Sequence, residues 1–103
     1  MKQLAALELL LGAYLHEDWA EDYPDLWHAV DDFTDGEPQS APHFRADVEQ
    51  VLGQGQSEQE IQQSLRQLGI VYYPLGDGWD SYRAWLLAVA AHVEKNLHKS
   101  PAA

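Results

Sequence analysis

Apolar residues at the start of the chain recur at three- and four-residue spacing: Leu4, Leu7, Leu10 or Leu11, Tyr14 and Leu15, with Leu9 widening the stripe. That period predicts a helix over about residues 3–16. Gly12 lies inside it, costs roughly 1 kcal/mol against alanine, and is the kind of residue that marks close approach by another helix. Residues 17–23 read as a loop or a frayed helix end. A second helix follows, with Pro24 and Asp25 in its first turn. Leu26, Ala29, Val30 and Phe33 share one face of it, while His28, Asp31 and Asp32 fall largely on the other. Gly36 is the expected left-handed residue at its end. Ser40 is expected to cap a third helix with the stripe Phe44, Val48, Val51 and Leu52, broken by Gly53, Gln54 and Gly55.

Ser57 and Glu60 have the spacing of a capping box. They open a fourth helix with Ile61, Leu65 and Leu68 inward and Gly69 just past its end. Ile70 to Tyr73 is the only β-like run; Pro74 cuts it short and no second strand is evident, so it reads as an extended connector over the core. A turn from Leu75 to Gly78 leads to the last helix, capped by Asp80 or Ser81. That helix carries Tyr82, Trp85, Leu86, Val89, Val93 and Leu97 on one face. Lys95, His98 and Lys99 suit its C-terminal end. The expected fold is all-α, an irregular bundle of about five helices with short loops. It forms one domain over residues 1–103, with residues 100–103 fraying.

Composition adds function classes to exclude. Hydrophobic residues make up 46% of the chain, too many for a disordered acidic tail. The formal net charge is −11, so nucleic acid and anionic membranes are disfavoured partners and a basic protein surface is favoured. There is no cysteine, hence no disulfide, thiolate ligand or cysteine nucleophile. The N-terminus has neither signal- nor transit-peptide character, and no apolar run is long enough to span a membrane. The expected location is the cytoplasm.

The charge is concentrated. Glu17, Asp18, Glu21, Asp22, Asp25, Asp31, Asp32, Asp35 and Glu37 lie in a stretch with no Lys or Arg between Lys2 and Arg45, and from the sequence they read as unpaired. A charge run is ordinarily a solvated surface. Here Trp19, Tyr23 and Trp27 are interleaved with it, and aromatic residues of this kind anchor protein interfaces. The stretch therefore reads as a docking face for a basic partner. Its candidate anchors are Trp19, Tyr23 and Trp27. Its candidate steering and pairing groups are Asp18, Glu21, Asp22, Asp25, Asp31, Asp32, Asp35 and Glu37.

Catalysis and metal binding find little support. His16, Asp18, His28 and Asp32 are the only arrangement that suggests a metal, yet no zincin, calcium-loop or cysteine-pair pattern is present. Asp31 and Asp32 point about 100° apart on a helix and form no dyad. No nucleophile elbow, phosphate-cradling loop or deaminase motif occurs. The expectation is a binding protein with no enzymatic activity, no cofactor and no metal. The run from Gly78 to Leu86 reads as a capped helix start with Tyr82, Trp85 and Leu86 buried, rather than as a contact surface built on Tyr82 and Arg83.

Five runs in order resemble one family. They are Leu10 to Trp19, Asp22 to Asp25, Ala29 to Phe33, Leu68 to Pro74 and Ser81 to Leu86. Together the chain is similar, over roughly residues 7–97, to the CdiI-like immunity proteins of bacterial contact-dependent growth inhibition (CDI) systems. The resemblance implies a small helical protein without catalytic activity. It implies binding, in a 1:1 complex, to the toxic C-terminal domain of a large surface effector, most often a nuclease, and inhibition by stoichiometric occlusion. The family motifs name core and capping positions, so the contact residues above rest on charge and aromaticity. Two other readings stay open: an acidic helical adaptor for another basic partner, and a nucleic-acid mimic.

Overall fold

The computed structural model describes residues 4–54 and 57–98. The expected fraying of residues 100–103, and Gly55 of the third-helix break, lie outside them. Among the described residues every regular element is helical. The α-helices are α1 (Ala5–Leu9), α2 (Trp19–Asp22), α3 (Leu26–Gly36), α4 (Phe44–Gln54), α5 (Glu58–Gln67) and α6 (Tyr82–Leu97). The all-α irregular bundle expected from the apolar stripes is what the structure contains.

The first rod departs from plain α geometry. α1 runs directly into a π turn over Leu10–Tyr14, closed by the Leu15 N–H on the Leu10 carbonyl at 2.9 Å. The wider turn brings Leu10, Leu11 and Leu15 all into the core, which resolves the choice the spacing left between Leu10 and Leu11. Gly12 has open space where a Cβ would stand, so no helix approaches it. The expectation of a close helix crossing there is corrected.

The start of this rod is held from elsewhere. The Asp47 carboxylate on α4, itself buried, accepts the backbone N–H groups of Ala6 and Leu7 at 2.9 and 3.0 Å. A helix leaves its first N–H groups without intrahelical partners, and Asp47 satisfies two of them. Glu58, in the first turn of α5, does the same for α6. Its two carboxylate oxygens accept from Tyr82 and Arg83 N–H at 2.7 and 3.0 Å. Ser81 completes that cap by accepting from Ala84 N–H.

Most other caps follow the sequence. Ser57 and Glu60 form the reciprocal capping box. Gly69 follows α5 with φ of +89°, which only glycine adopts without strain. The third helix starts differently from expectation: a 3-10 turn, Ala41–His43, precedes α4, and Ser40 makes no side-chain cap. The turn after the connector is likewise a 3-10 element, Pro74–Asp77. Ile70 to Tyr73 is extended and unpaired, as the isolated β-like run implied.

The core gathers Leu7, Leu10, Leu11 and Leu15 with Phe33, Phe44, Ile61, Leu65, Trp85, Leu86 and Val89, all fully buried. Phe33 sits edge-on to both Tyr14 and Phe44, with ring centres 5.6 Å apart in each pair. Tyr72 drops from the connector to stack on Trp85 at 5.2 Å. No helix among the described residues is long and apolar enough to cross a membrane.

Two substitutions test this account by thermal or denaturant unfolding. Gly12→Ala should stabilise the protein by about 0.5–1 kcal/mol, since the site has room and helical backbone. Asp47→Ala should cost about 2–3 kcal/mol, because two buried N–H groups lose a charged acceptor together.

Candidate functional site

The acidic stretch is more ordered than its charge suggests. Residues 17–23, expected as a loop or a frayed helix end, contain a separate short helix, α2. Pro24 stands ahead of α3 rather than in its first turn, and Asp25 is the N-cap. The Asp25 carboxylate accepts from the His28 backbone N–H at 3.0 Å and pairs with the His28 ring at 2.7 Å. The His28 ring first, and its backbone N–H second, hold the Asp25 carboxyl below the usual range.

Five of the nine acids that read as unpaired have side-chain partners. His16 pairs with Asp22 at 3.0 Å, and His28 with Asp25. Asp31 pairs with His92 at 2.7 Å and accepts from the Asn96 amide at 2.8 Å. Asp31 is thus half-buried against α6 rather than on a solvated face, and it ties α3 to the last helix. Asp32 accepts from the Tyr23 hydroxyl at 2.5 Å. Glu37 accepts from the Tyr14 hydroxyl at 2.9 Å. Neutral donors and histidines take the place of the missing Lys and Arg. Glu17, Asp18, Glu21 and Asp35 remain exposed, with no side-chain partner among the described residues.

The three aromatic candidates are half-buried. Trp19 packs edge-on to Tyr72, ring centres 5.4 Å apart, which seats α2 on the connector. Trp27 lies against the His92 ring at 4.6 Å and edge-on to Trp79 at 6.1 Å. Tyr23 packs against the core while its hydroxyl reaches Asp32. All three therefore carry structural contacts, leaving only part of each ring to solvent. Tyr82 and Trp85 are buried, in keeping with a structural helix start.

Gly36 is not left-handed; it is the last residue of α3 and has negative φ. Its requirement is steric. A Cβ there would sit 3.0 Å from the Tyr14 hydroxyl oxygen, so a side chain would crowd the group that binds Glu37. His92, Asn96 and Trp79 were not singled out by the sequence. Two of them lie on α6, and nothing in their local spacing marks a bond to Asp31 sixty-odd residues away.

The histidine and carboxylate side chains do not converge. His16 and His28 each pair with a different aspartate, and Asp32 turns to Tyr23. Among the described residues no group of three or more such side chains could hold a metal ion.

The tyrosines carry a pH signature. Burial first, then the bond to Glu37, push the Tyr14 hydroxyl up to about 12. The bond to Asp32 first, then burial, push Tyr23 up to about 12. In the unfolded chain both ionise near 10.0. The folded state holds these protons more tightly, so their stabilisation is complete below pH 10 and is lost as pH rises from 10 to 12. Thermal midpoints should therefore fall steeply in that window, and the Tyr23→Phe variant should show a shallower fall.

No curated protein and no solved structure is significantly similar to the chain. One family model does match, that of the CdiI immunity protein, over residues 3–93. It spans the acidic stretch, the connector and the helices that hold them. With a match running from the start of the first helix well into the last, the chain belongs to the CdiI immunity protein family.

Proposed function

We propose that this protein neutralises the C-terminal toxin domain of a CDI effector by binding it stoichiometrically through its acidic surface. The observation that carries this reading is the acidic stretch within a chain of this family: Glu17, Asp18, Glu21 and Asp35 stay exposed on a framework that holds their neighbours rigidly. The toxin domain is basic and is a nuclease. A nuclease grips phosphates with Lys and Arg, and a fixed array of carboxylates competes for the same cleft. Occlusion then needs no chemistry from the inhibitor, no cofactor and no metal. One domain of this chain meets one toxin domain in the cytoplasm.

The proposed contacts are Asp18, Trp19, Glu21, Asp22, Tyr23, Asp25, Trp27, Asp31, Asp32, Asp35 and Glu37. They divide by geometry. Asp18, Glu21 and Asp35 are exposed and steer the encounter. Asp22, Asp25, Asp32 and Glu37 are pre-oriented by His16, His28, Tyr23 and Tyr14. Trp19, Tyr23 and Trp27 contribute the exposed parts of their rings. Asp31 acts mainly through its tie to α6.

The test is co-expression of this protein with the C-terminal domain of the effector encoded beside it, followed by titration of the purified pair. Growth should be rescued and binding should be 1:1. In the Asp18→Lys/Glu21→Lys double variant, affinity at low salt should fall by roughly tenfold or more, mostly through slower association, and its salt dependence should flatten. Retained affinity and salt dependence would move the binding face off the acidic stretch.

A further inference from the structure

The connector between α5 and α6 carries a second feature of the surface. Four large hydrophobic side chains are exposed among the described residues, and three of them fall within five positions: Val71 at 56%, Tyr73 at 59% and Leu75 at 39%. The extended backbone explains the alternation. Tyr72 points inward onto Trp85, so its neighbours Val71 and Tyr73 point out.

This segment is held in place rather than loose. The Tyr72 hydroxyl donates to Asp77 at 2.6 Å. Burial first, and that bond second, push the hydroxyl well above the usual tyrosine range. The Gly76 N–H bonds the Tyr73 carbonyl, and the Trp79 N–H bonds the Pro74 carbonyl. The Tyr73 ring itself lies over Gly76: a Cβ there would come within 2.7 Å of its Cδ2. An exposed aromatic ring is thus seated on a glycine, with its position fixed before any partner arrives.

The surroundings are acidic. Trp19, the first residue of α2, packs edge-on to Tyr72, so α2 with its exposed Glu21, and Asp18 just before it, lies beside the connector. Asp80 follows along the chain and is exposed. No Lys or Arg occurs between Arg66 and Arg83. An apolar centre beside charged groups is the anatomy of a protein interface, and the charged residues of this segment, Asp77 and Asp80, are acidic.

We infer that Val71, Tyr73 and Leu75 are the apolar centre of the toxin-binding face, with Trp19 linking them to the carboxylates of α2. The occupant is a protein surface that offers an apolar socket ringed by Lys or Arg. The inference rests on the immunity reading above and supplies what the acidic stretch lacks. Charges raise the association rate, whereas buried aromatic anchors slow dissociation. Rigid seating of Tyr73 on Gly76 lowers the entropy lost on binding.

The experiment uses the full chain and the catalytically disabled C-terminal domain of the adjacent effector, with binding kinetics and thermal midpoints read together. Tyr73→Ala should weaken binding at least about 30-fold, mainly through faster dissociation. Val71→Ser/Leu75→Ser should weaken it likewise. Gly76→Ala keeps the tyrosine but displaces its ring, and should also weaken binding. Leu87→Ala, the remaining exposed large apolar residue, on α6, should bind as the parent does. Thermal midpoints should hold for Tyr73→Ala, whose side chain is mostly exposed. If the connector variants all bind within twofold of the parent while Asp18→Lys/Glu21→Lys weakens binding, the inference is overturned and the acidic docking reading stands. Weakening by Leu87→Ala alone would place the apolar centre on α6 and overturn it too. If the unaltered protein does not bind, the immunity reading for that pair falls, and this inference with it.

Discussion

A helix begins with N–H groups that its own carbonyls do not reach, and a buried helix start must find acceptors elsewhere. This protein meets that constraint at both ends of the chain with carboxylates from other helices. Asp47 on α4 takes two N–H groups of α1, and Glu58 on α5 takes two of α6. Each bond has a charged acceptor, which makes it stronger than a bond between neutral groups. The first of these matters more. The rod from Ala5 to Tyr14 is too short to hold as an isolated helix. Docked on Asp47, it places Leu7, Leu10 and Leu11 in the core and brings Tyr14 to Phe33 and Glu37. The acidic stretch is therefore ordered from behind, by a buried acid outside it.

Much of this was legible in the chain. Helical stripes gave the core faces of α3, α4, α5 and α6, and local chemistry gave the caps at Ser57 and Gly69 and narrowed that of α6 to Asp80 or Ser81. What escaped was tertiary in origin. Asp47 stands three residues after Phe44 and directly before Val48, on the apolar stripe itself. A carboxylate at that position signals a buried acceptor, although its donors lie some forty residues away. Glu58 looks like an ordinary acidic first-turn residue, and its second role at α6 leaves no local mark. Gly36 follows the pattern of a left-handed stop, but its real constraint is the Tyr14 hydroxyl packed against it. α2 has too few residues for any periodicity, and contact with Tyr72 is what seats it.

The acidic stretch shows why counting charges in sequence misjudges a surface. The absence of Lys and Arg suggested nine free acids. Histidine rings and tyrosine hydroxyls instead orient five of them. The two tyrosine hydroxyls fix the geometry of Asp32 and Glu37 while leaving their negative charge intact. Lysines in the same places would have fixed the geometry and cancelled the field. If the surface attracts a basic partner, as proposed, it is better built the first way.

Affinity sets the remaining demand. Nanomolar binding corresponds to about −12 kcal/mol, and steering by charge affects mainly the rate of encounter. Trp19, Tyr23 and Trp27 already give much of their area to the fold, so they have little left to bury against a partner. Val71 and Tyr73 are more than half exposed and have that area to give. An exposed apolar patch would ordinarily invite self-association. Here the carboxylates of a chain with a net charge of −11 oppose the approach of a second copy. The same carboxylates favour a basic partner. On the proposed reading, one set of charges would keep the apolar centre open in the free protein and select what closes it.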